Sequence, residues 1–235
     1  MYKTPKTEVK SYMKMTDLIE ENPALLLMMQ HFNMDFMVDD YTVDILCQQY
    51  DVNPALFISV ANLYNGLRPK KELVLTESDF LQIIQFLRNS HVYYRKYKYP
   101  EISAYITNLQ KDSSTKELKL LEQFFNNYFE EVIEHLDYED NVAFPYFTEL
   151  INNRAMPCSK EYSAKEYYEH HSDIELKLTD LKNLLLKHIK ISNSLNLRRK
   201  LLLSLFELEF DLYIHSLIEE SILIPAGCRI EEDCK

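Results

Sequence analysis

Apolar residues recur three and four positions apart along four long stretches of the chain, and this spacing predicts four amphipathic helices. The first stretch covers residues 80–91, the third 171–185 and the fourth 201–222. The second is the most regular, with a stripe of Leu118, Leu121, Phe125, Tyr128, Val132, His135, Glu139 and Val142. Four helices with one apolar stripe each predict an all-α protein built around a four-helix bundle.

Shorter helical patterns precede the bundle, over residues 17–32, 39–50 and from Asn53 onward. A cluster of glycine, proline and lysine near residue 70 marks a candidate linker. The predicted domains are therefore a small three-helix N-terminal domain at residues 1–70 and the bundle at residues 71–235.

Capping boxes, in which a Ser or Thr is followed three residues later by an acidic residue, predict three helix starts. They are Thr76 with Asp79, Ser114 with Glu117 and Ser163 with Glu166. The fourth long helix is predicted over residues 193–221. Four prolines are expected at or beyond the helix ends, where proline does least damage; they are Pro100, Pro145, Pro157 and Pro225.

Six polar residues fall on the apolar stripes, and their spacing is duplicated. They are His91, His135, Glu139, His171, His215 and Glu219. In each copy the two histidines are 44 residues apart, and a glutamate follows the second histidine after four residues. Buried imidazole and carboxylate groups cost several kcal/mol unless they are paired or bind a metal. The pattern predicts one dinuclear metal site; the alternative is a duplicated pair of buried His–Glu hydrogen bonds.

Imidazole and carboxylate ligands without thiolate suit iron, manganese or zinc. Two such sites in a four-helix bundle favour a non-haem di-iron centre. In this hypothesis each iron takes two histidines, while Glu139 and Glu219 bridge the ions together with an oxo or hydroxo group. One coordination position on each ion would then be open to dioxygen, nitric oxide or peroxide.

Helix geometry separates the glutamates from the acidic residues that follow them. Asp140 and Glu220 lie five residues after a histidine, about 140° around the helix and off the stripe, whereas a separation of four leaves about 40°. Other assignments stay open. His170 is the alternative to His171, and Glu175 is either a solvated side chain or an extra ligand.

The composition excludes several classes of function and location. A formal net charge of −11 argues against nucleic acid as the main partner. The sequence shows neither a long apolar span nor a secretion signal, so we expect a cytoplasmic protein without a membrane partner. Four cysteines without CxxC spacing indicate isolated reduced thiols, although a bridge between the last two stays open; they are Cys47, Cys158, Cys228 and Cys234.

The segments HLDYEDNVAFP and HSLIEESILIP, each starting at a stripe histidine, resemble the two helix-end motifs of hemerythrin-like proteins. The fuller resemblance is to the repair-of-iron-centres family, bacterial di-iron proteins that repair iron–sulfur clusters. It implies iron ligands at His91, His135, Glu139, His171, His215 and Glu219. Oxygen-carrying hemerythrins have a fifth histidine where this chain has Glu175, so the resemblance does not imply reversible oxygen carriage.

The N-terminal segment resembles the small helical domain that begins those repair proteins. Family members carry adjacent cysteines after the aspartate and phenylalanine, but Met37 and Val38 follow Asp35 and Phe36 here. Thiol chemistry is therefore not expected of this domain, which is left with docking or homodimer contacts. The resemblance implies repair of clusters damaged by nitric oxide or oxidative stress, with iron–sulfur proteins as partners. The alternatives are an oxygen or nitric oxide sensing module and an oxidase or peroxidase.

Overall fold

The computed structural model describes residues 6–68, 73–112, 115–152, 163–170, 174–189 and 194–233. Within these ranges the chain is all-α, a helical bundle fold as predicted, and it contains no β-sheet. Among the described helices, none is long and apolar enough to cross a membrane.

Twelve α-helices and three short π-helices make up the described part of the chain. The α-helices are α1 (Met15–Glu21), α2 (Leu25–His31), α3 (Val43–Gln49), α4 (Pro54–Tyr64), α5 (Glu77–Tyr93), α6 (Tyr99–Asp112), α7 (Lys116–Tyr138), α8 (Phe144–Asn152), α9 (Ala164–His170), α10 (Ile174–Lys187), α11 (Leu195–Ile218) and α12 (Ile224–Asp233). The π-helices are π1 (Tyr94–Lys98), π2 (Glu139–Ala143) and π3 (Glu219–Leu223).

The N-terminal segment contains four helices rather than the predicted three. The single helix expected over residues 17–32 is two helices, because Pro23 cannot donate a helical hydrogen bond and interrupts the pattern. Beside it, the buried Asn22 side chain donates to the Tyr64 carbonyl at 3.0 Å and to the Asn65 side-chain oxygen at 2.8 Å. Hydrogen bonds to the end of α4 therefore stabilise the interruption between α1 and α2.

Two of the three predicted capping boxes are confirmed. The Thr76 hydroxyl accepts from the amide of Asp79 at 3.2 Å, and the Asp79 carboxylate accepts from the amide of Thr76 at 2.8 Å. The Ser163 hydroxyl accepts from the Glu166 amide at 3.2 Å. Helix α7 is capped by Thr115, whose hydroxyl accepts from the Leu118 amide. Ser114, the predicted cap, lies outside the described residues.

Three prolines that were expected to end helices instead lie inside continuous helical segments. Pro100, Pro145 and Pro225 are each the second residue of an α-helix that follows a π-helix directly. In a π-helix the amide donates to the carbonyl five residues back, as Tyr99 does to Tyr94 and Ile224 to Glu219. The wider turn removes the need for the α-helical donor that proline lacks, so the prediction of helix ends at these residues was wrong.

The π-helices also explain one error in the predicted stripe of α7. Leu118, Phe125 and Val132 are buried as predicted, but Val142 is 40% exposed. Val142 lies in π2, where an extra residue in the turn shifts the spacing. Ala143 and Phe144 are fully buried in its place.

The chain forms two compact units. One consists of residues 91–142 and 172–213, and the other of residues 2–90, 143–171 and 214–235. The predicted boundary at residues 70 and 71 lies outside the described residues and stays a prediction.

Each unit has its own apolar core. In the first unit, α6 and α10 both pack against α7, burying Ile106, Leu121 and Leu181. In the second, α12 packs against α8 and α9, and Gly227 provides the close approach. A Cβ atom at position 227 would lie 2.5 Å from Cε1 of Phe147.

Candidate metal centre

The two glutamates of the duplicated pattern occupy equivalent places in the fold. Glu139 is the first residue of π2 and Glu219 the first residue of π3, and both side chains are fully buried. Each follows a histidine by four residues, so the helical path brings His135 beside Glu139 and His215 beside Glu219. Single π-turns of this kind are frequent at functional sites.

In the first unit, one carboxylate lies between two imidazoles. Oε2 of Glu139 is 3.1 Å from Nε2 of His91, and Oε1 is 2.9 Å from Nε2 of His135. His91 is only 1% exposed and the side chain of His135 is 13% exposed. Helix α5 therefore supplies one histidine, while α7 and π2 supply the other two groups.

The other ring nitrogen of His91 also lies near a carboxylate. Its Nδ1 is 3.1 Å from Oδ1 of Asp140, whose Oδ2 accepts from Arg95 at 3.0 Å. The imidazole of His91 therefore lies between two carboxylates, with Glu139 at Nε2 and Asp140 at Nδ1.

In the second unit, a hydroxyl group orients the ring of His215 through its Nδ1. The Ser90 hydroxyl donates to the Leu87 carbonyl at 2.7 Å and lies 2.8 Å from Nδ1 of His215. A hydroxyl has one proton, so Ser90 accepts from His215 and the proton of the neutral imidazole is on Nδ1. Nε2 then faces Oε1 of Glu219 at 3.3 Å.

Glu219 has a further partner that the sequence did not reveal. The Tyr167 hydroxyl, on α9, donates to Oε1 of Glu219. Both side chains are buried, and the same oxygen faces His215. The hydrogen bond from the phenol thus holds the carboxylate in place and partly offsets its negative charge.

In the second unit these contacts leave the Nε2 lone pair of His215 facing a carboxylate, which is repulsive unless a cation lies between them. Two ligand atoms about 2.1 Å from one ion, at roughly right angles or slightly wider, are about 3.0 to 3.3 Å apart. Separations of 2.9 to 3.3 Å fit that geometry. The alternative is a proton on each Nε2, which would give buried imidazolium–carboxylate pairs.

The buried side chains of His91, Glu139 and His215 could hold a metal ion. One ligand atom from each lies within 4.8 Å of the other two. The donors in this group are nitrogen and oxygen atoms, a set that suits iron, manganese or zinc. The residues present therefore fit a metal site, as the spacing of the sequence predicted.

The candidate ligands on the third predicted helix are not described by the structure. His171, the predicted partner of His215, lies outside the described residues. The side chains of its alternative, His170, and of Glu175 also lie outside the described part of the chain. Their assignment as ligands or bystanders stays as predicted.

Four side chains that orient the site were not found from the sequence; they are Ser90, Arg95, Asp140 and Tyr167. Helix geometry placed Asp140 off the stripe, and that placement turns its carboxylate toward Nδ1 of His91. The signal available was its position directly after Glu139. Ser90 and Tyr167 act on groups distant in the sequence, so periodicity could not identify them.

A second buried pair lies one helical turn before His215. The Tyr94 hydroxyl donates to Oδ2 of Asp211 at 2.8 Å, and both side chains are about 1% exposed. The adjacent Tyr93 donates to Glu207 at 2.5 Å. Burial, aided by that hydrogen bond and the charge of Glu207, raises the pKa of Tyr93 well above its usual range. The Tyr93 phenol is therefore a protonated donor at neutral pH.

No protein-family model matches this chain, and no curated protein matches it.

Proposed function

We propose that this protein holds a dinuclear non-haem iron centre and repairs iron–sulfur clusters damaged by nitric oxide or oxidative stress, by donating iron. The metal part is supported by one observation: in each unit an imidazole Nε2 lies within 3.3 Å of a fully buried glutamate carboxylate. The repair part is supported by the resemblance of the two helix-end motifs to the repair-of-iron-centres family.

In this proposal His91, His135, Glu139, His215 and Glu219 would hold the two ions together with the predicted His171, and the two glutamates would be shared between the ions. When bound, the iron pair supplies exchangeable, redox-active ions with positions open to dioxygen, nitric oxide or peroxide. The two buried carboxylates would offset part of the positive charge of the ions.

The hydrogen bond between Ser90 and His215 has a defined part in binding. It holds this imidazole in the tautomer that would present Nε2 to a metal, so little reorganisation would be needed when an ion enters. The buried stripes of α5, α7 and α11 keep the ligand side chains in place through packing.

The first experiment measures metal per chain and the visible spectrum of protein purified without added metal. The matched sample is the His135→Ala/His215→Ala double variant. About two irons per chain, with near-ultraviolet bands that vanish in the variant, are expected. No iron after anaerobic loading with ferrous iron would mean that the histidines and glutamates form hydrogen bonds only or bind another metal.

Repair is tested separately from metal binding. The iron-loaded protein is mixed with an enzyme whose cluster has been damaged by nitric oxide, and recovery of that enzyme is followed. We expect faster recovery than with an equal amount of free ferrous iron; equal rates would exclude repair by donation. Steady turnover of peroxide or nitric oxide with a reductant would instead indicate an enzyme.

A sensing role is the second candidate, and contacts in the second unit favour it. The Asn89 side chain, two residues before His91, donates to the carbonyl of His31 at 2.8 Å. The ring of His31 packs edge-on against Phe86, 5.2 Å between centroids. A helix of the N-terminal segment thus touches the helix that carries a ligand. Hydrogen exchange over residues 13–66 that is identical in the oxidised and reduced protein would count against sensing.

A further inference from the structure

We propose that Tyr94 and Tyr93 form a two-step electron path that leads from the candidate metal centre toward the protein surface. In this path each phenol gives up an electron together with its proton, and the carboxylate to which it is hydrogen-bonded takes the proton. The inference rests on the proposed centre as the place where the oxidant reacts. The two tyrosines and both carboxylates belong to the first compact unit.

Tyr94 is the inner phenol, next to a candidate ligand. The helix that carries His91 continues without interruption into π1, and Tyr94 follows His91 by three residues, which makes the two side chains neighbours on one helix surface. The Tyr94 hydroxyl donates to Oδ2 of Asp211 at 2.8 Å, a distance suited to transfer of the proton to a base. Asp211 is buried, so the proton that it receives stays beside the phenol and can return.

Tyr93 is the outer phenol. Its ring lies edge-on to the ring of Tyr94 with 5.9 Å between centroids, which is a contact distance for aromatic side chains. Its hydroxyl donates to Oε1 of Glu207 at 2.5 Å. The Glu207 side chain is 47% exposed, so a proton placed on it can pass to water. A radical on Tyr94 can therefore move to Tyr93, where a reductant from solution can quench it.

Lys98 makes the loss of a proton obligatory at the outer phenol. Its Nζ lies 2.7 Å from Oε1 of Glu207 and 6.0 Å from the centroid of the Tyr93 ring. Lys98 is itself buried, so its positive charge is poorly screened by water. A positive charge at this distance disfavours a cationic radical on Tyr93, and the electron must leave together with the proton.

The atoms and electrons balance with hydrogen peroxide as the oxidant. Each oxidised phenol loses one electron to the oxidant and one proton to its carboxylate, which leaves a neutral phenoxyl radical and a carboxylic acid. Two phenols together supply the two electrons and, through the carboxylates, the two protons that convert one hydrogen peroxide into two waters. A one-electron reductant and a proton from water restore each phenol.

The test detects the radical itself by electron paramagnetic resonance. The full-length protein is loaded anaerobically with ferrous iron, mixed with hydrogen peroxide and frozen at increasing times. We expect a neutral tyrosyl radical, identified by the splitting from its ring and methylene protons, that decays faster when ascorbate is added. Iron content is measured for every variant, so that samples with equal loading are compared.

Two variants test the inner phenol and one is a matched control. Tyr94→Phe removes the hydroxyl, and Asp211→Asn keeps a hydrogen-bond acceptor that cannot take the proton. We expect each to lower the radical yield about tenfold or more, because a positioned base is lost or has nothing to act on. Tyr97→Phe, at an exposed position on π1, should leave the yield unchanged.

A third variant tests the outward step. Tyr93→Phe keeps the aromatic ring but cannot form a neutral phenoxyl radical, so the radical on Tyr94 has no outlet. We expect it to persist longer in the presence of ascorbate than in the unaltered protein. Equal lifetimes would overturn the outward step.

The outcomes separate this inference from the proposed centre. Normal iron loading without a tyrosyl radical, or an unchanged radical in Tyr94→Phe or Asp211→Asn, would overturn the path and leave the centre standing. The two phenols would then serve only as hydrogen-bond donors to the carboxylates. No iron bound by the unaltered protein would overturn the centre and this inference with it. Circular dichroism of each variant confirms that it is folded.

Discussion

Oδ1 of Asp140 lies 3.1 Å from Nδ1 of His91, although Asp140 directly follows a glutamate that approaches the opposite side of the same ring. Consecutive acidic residues thus contact both nitrogens of one imidazole. This is possible because Glu139 and Asp140 begin a π-helix, with one side chain directed inward and the other along the helix surface. The imidazole of His91 is therefore enclosed by negative charge at both of its nitrogens.

Metal binding should stabilise the folded protein. Ferrous iron at about 100 times its dissociation constant adds about 2.7 kcal/mol to the free energy of unfolding if the unfolded chain does not bind it. Urea unfolding under anaerobic conditions, with and without iron, measures this difference. Glu139→Gln should abolish it.

The control for that substitution is Glu134→Gln, because Glu134 lies on the exposed face of the same helix. It should keep the full stabilisation by iron. An equal effect of iron on the Glu139→Gln variant would show that the metal binds elsewhere.

The hydrogen bond between Tyr94 and Asp211 should contribute to stability. Tyr94→Phe removes a donor from a buried carboxylate, and we expect a loss of about 1 to 3 kcal/mol in the free energy of unfolding. Tyr213→Phe, at an exposed position on α11, should change it by less than about 0.5 kcal/mol. A double-mutant cycle with Asp211→Asn measures the coupling, and additive effects would contradict a direct interaction.

Gly227→Ala should destabilise the packing of α12. The added Cβ atom would lie 2.5 Å from the ring of Phe147, so the ring or the helix must move, at a cost of about 1 to 3 kcal/mol. Thermal unfolding measures the change. Gly227→Ala should lower stability less in a Phe147→Leu background than in the unaltered protein, because the smaller side chain leaves room for the Cβ atom. An equal loss of stability in both backgrounds would locate the strain in the helix backbone.

The thiol of Cys47 should make stability depend on pH in the alkaline range. Burial, with a smaller effect of the Asp44 charge, raises its pKa from 9.0 to about 12. The folded state therefore holds the proton more tightly, and its contribution to stability is present below pH 9 and lost between pH 9 and about 12. The slope in that window approaches about 1.4 kcal/mol per pH unit.

Urea unfolding at several pH values, compared between the unaltered protein and Cys47→Ala, isolates this contribution from those of tyrosines. The difference in unfolding free energy between the two proteins should shrink as the pH rises from 9 to 11. A constant difference would show that the thiol titrates normally. Labelling should agree, with Cys228, which is partly exposed, reacting before Cys47.

Local patterns in the sequence were enough for much of the architecture. The all-α class and the buried face of α7 follow from apolar residues three and four positions apart, and the starts of α5 and α9 follow from capping boxes. These features depend on residues within one or two helical turns, where periodicity is informative. The predicted helix boundaries were wrong at Pro23 and at the prolines that follow π1, π2 and π3. At each of these positions a single residue changes the backbone hydrogen bonding.

The sequence by itself predicted a set of candidate ligands, because two histidines and a glutamate recur at equal spacing on apolar stripes. Only the tertiary structure decided how those residues are oriented. The Nδ1 partners of His91 and His215, and the phenol on Glu219, come from contacts across helices that no local period encodes. Hydrogen-bond direction depends on which atoms meet in space, so the side of each imidazole that faces a metal is a property of the folded chain.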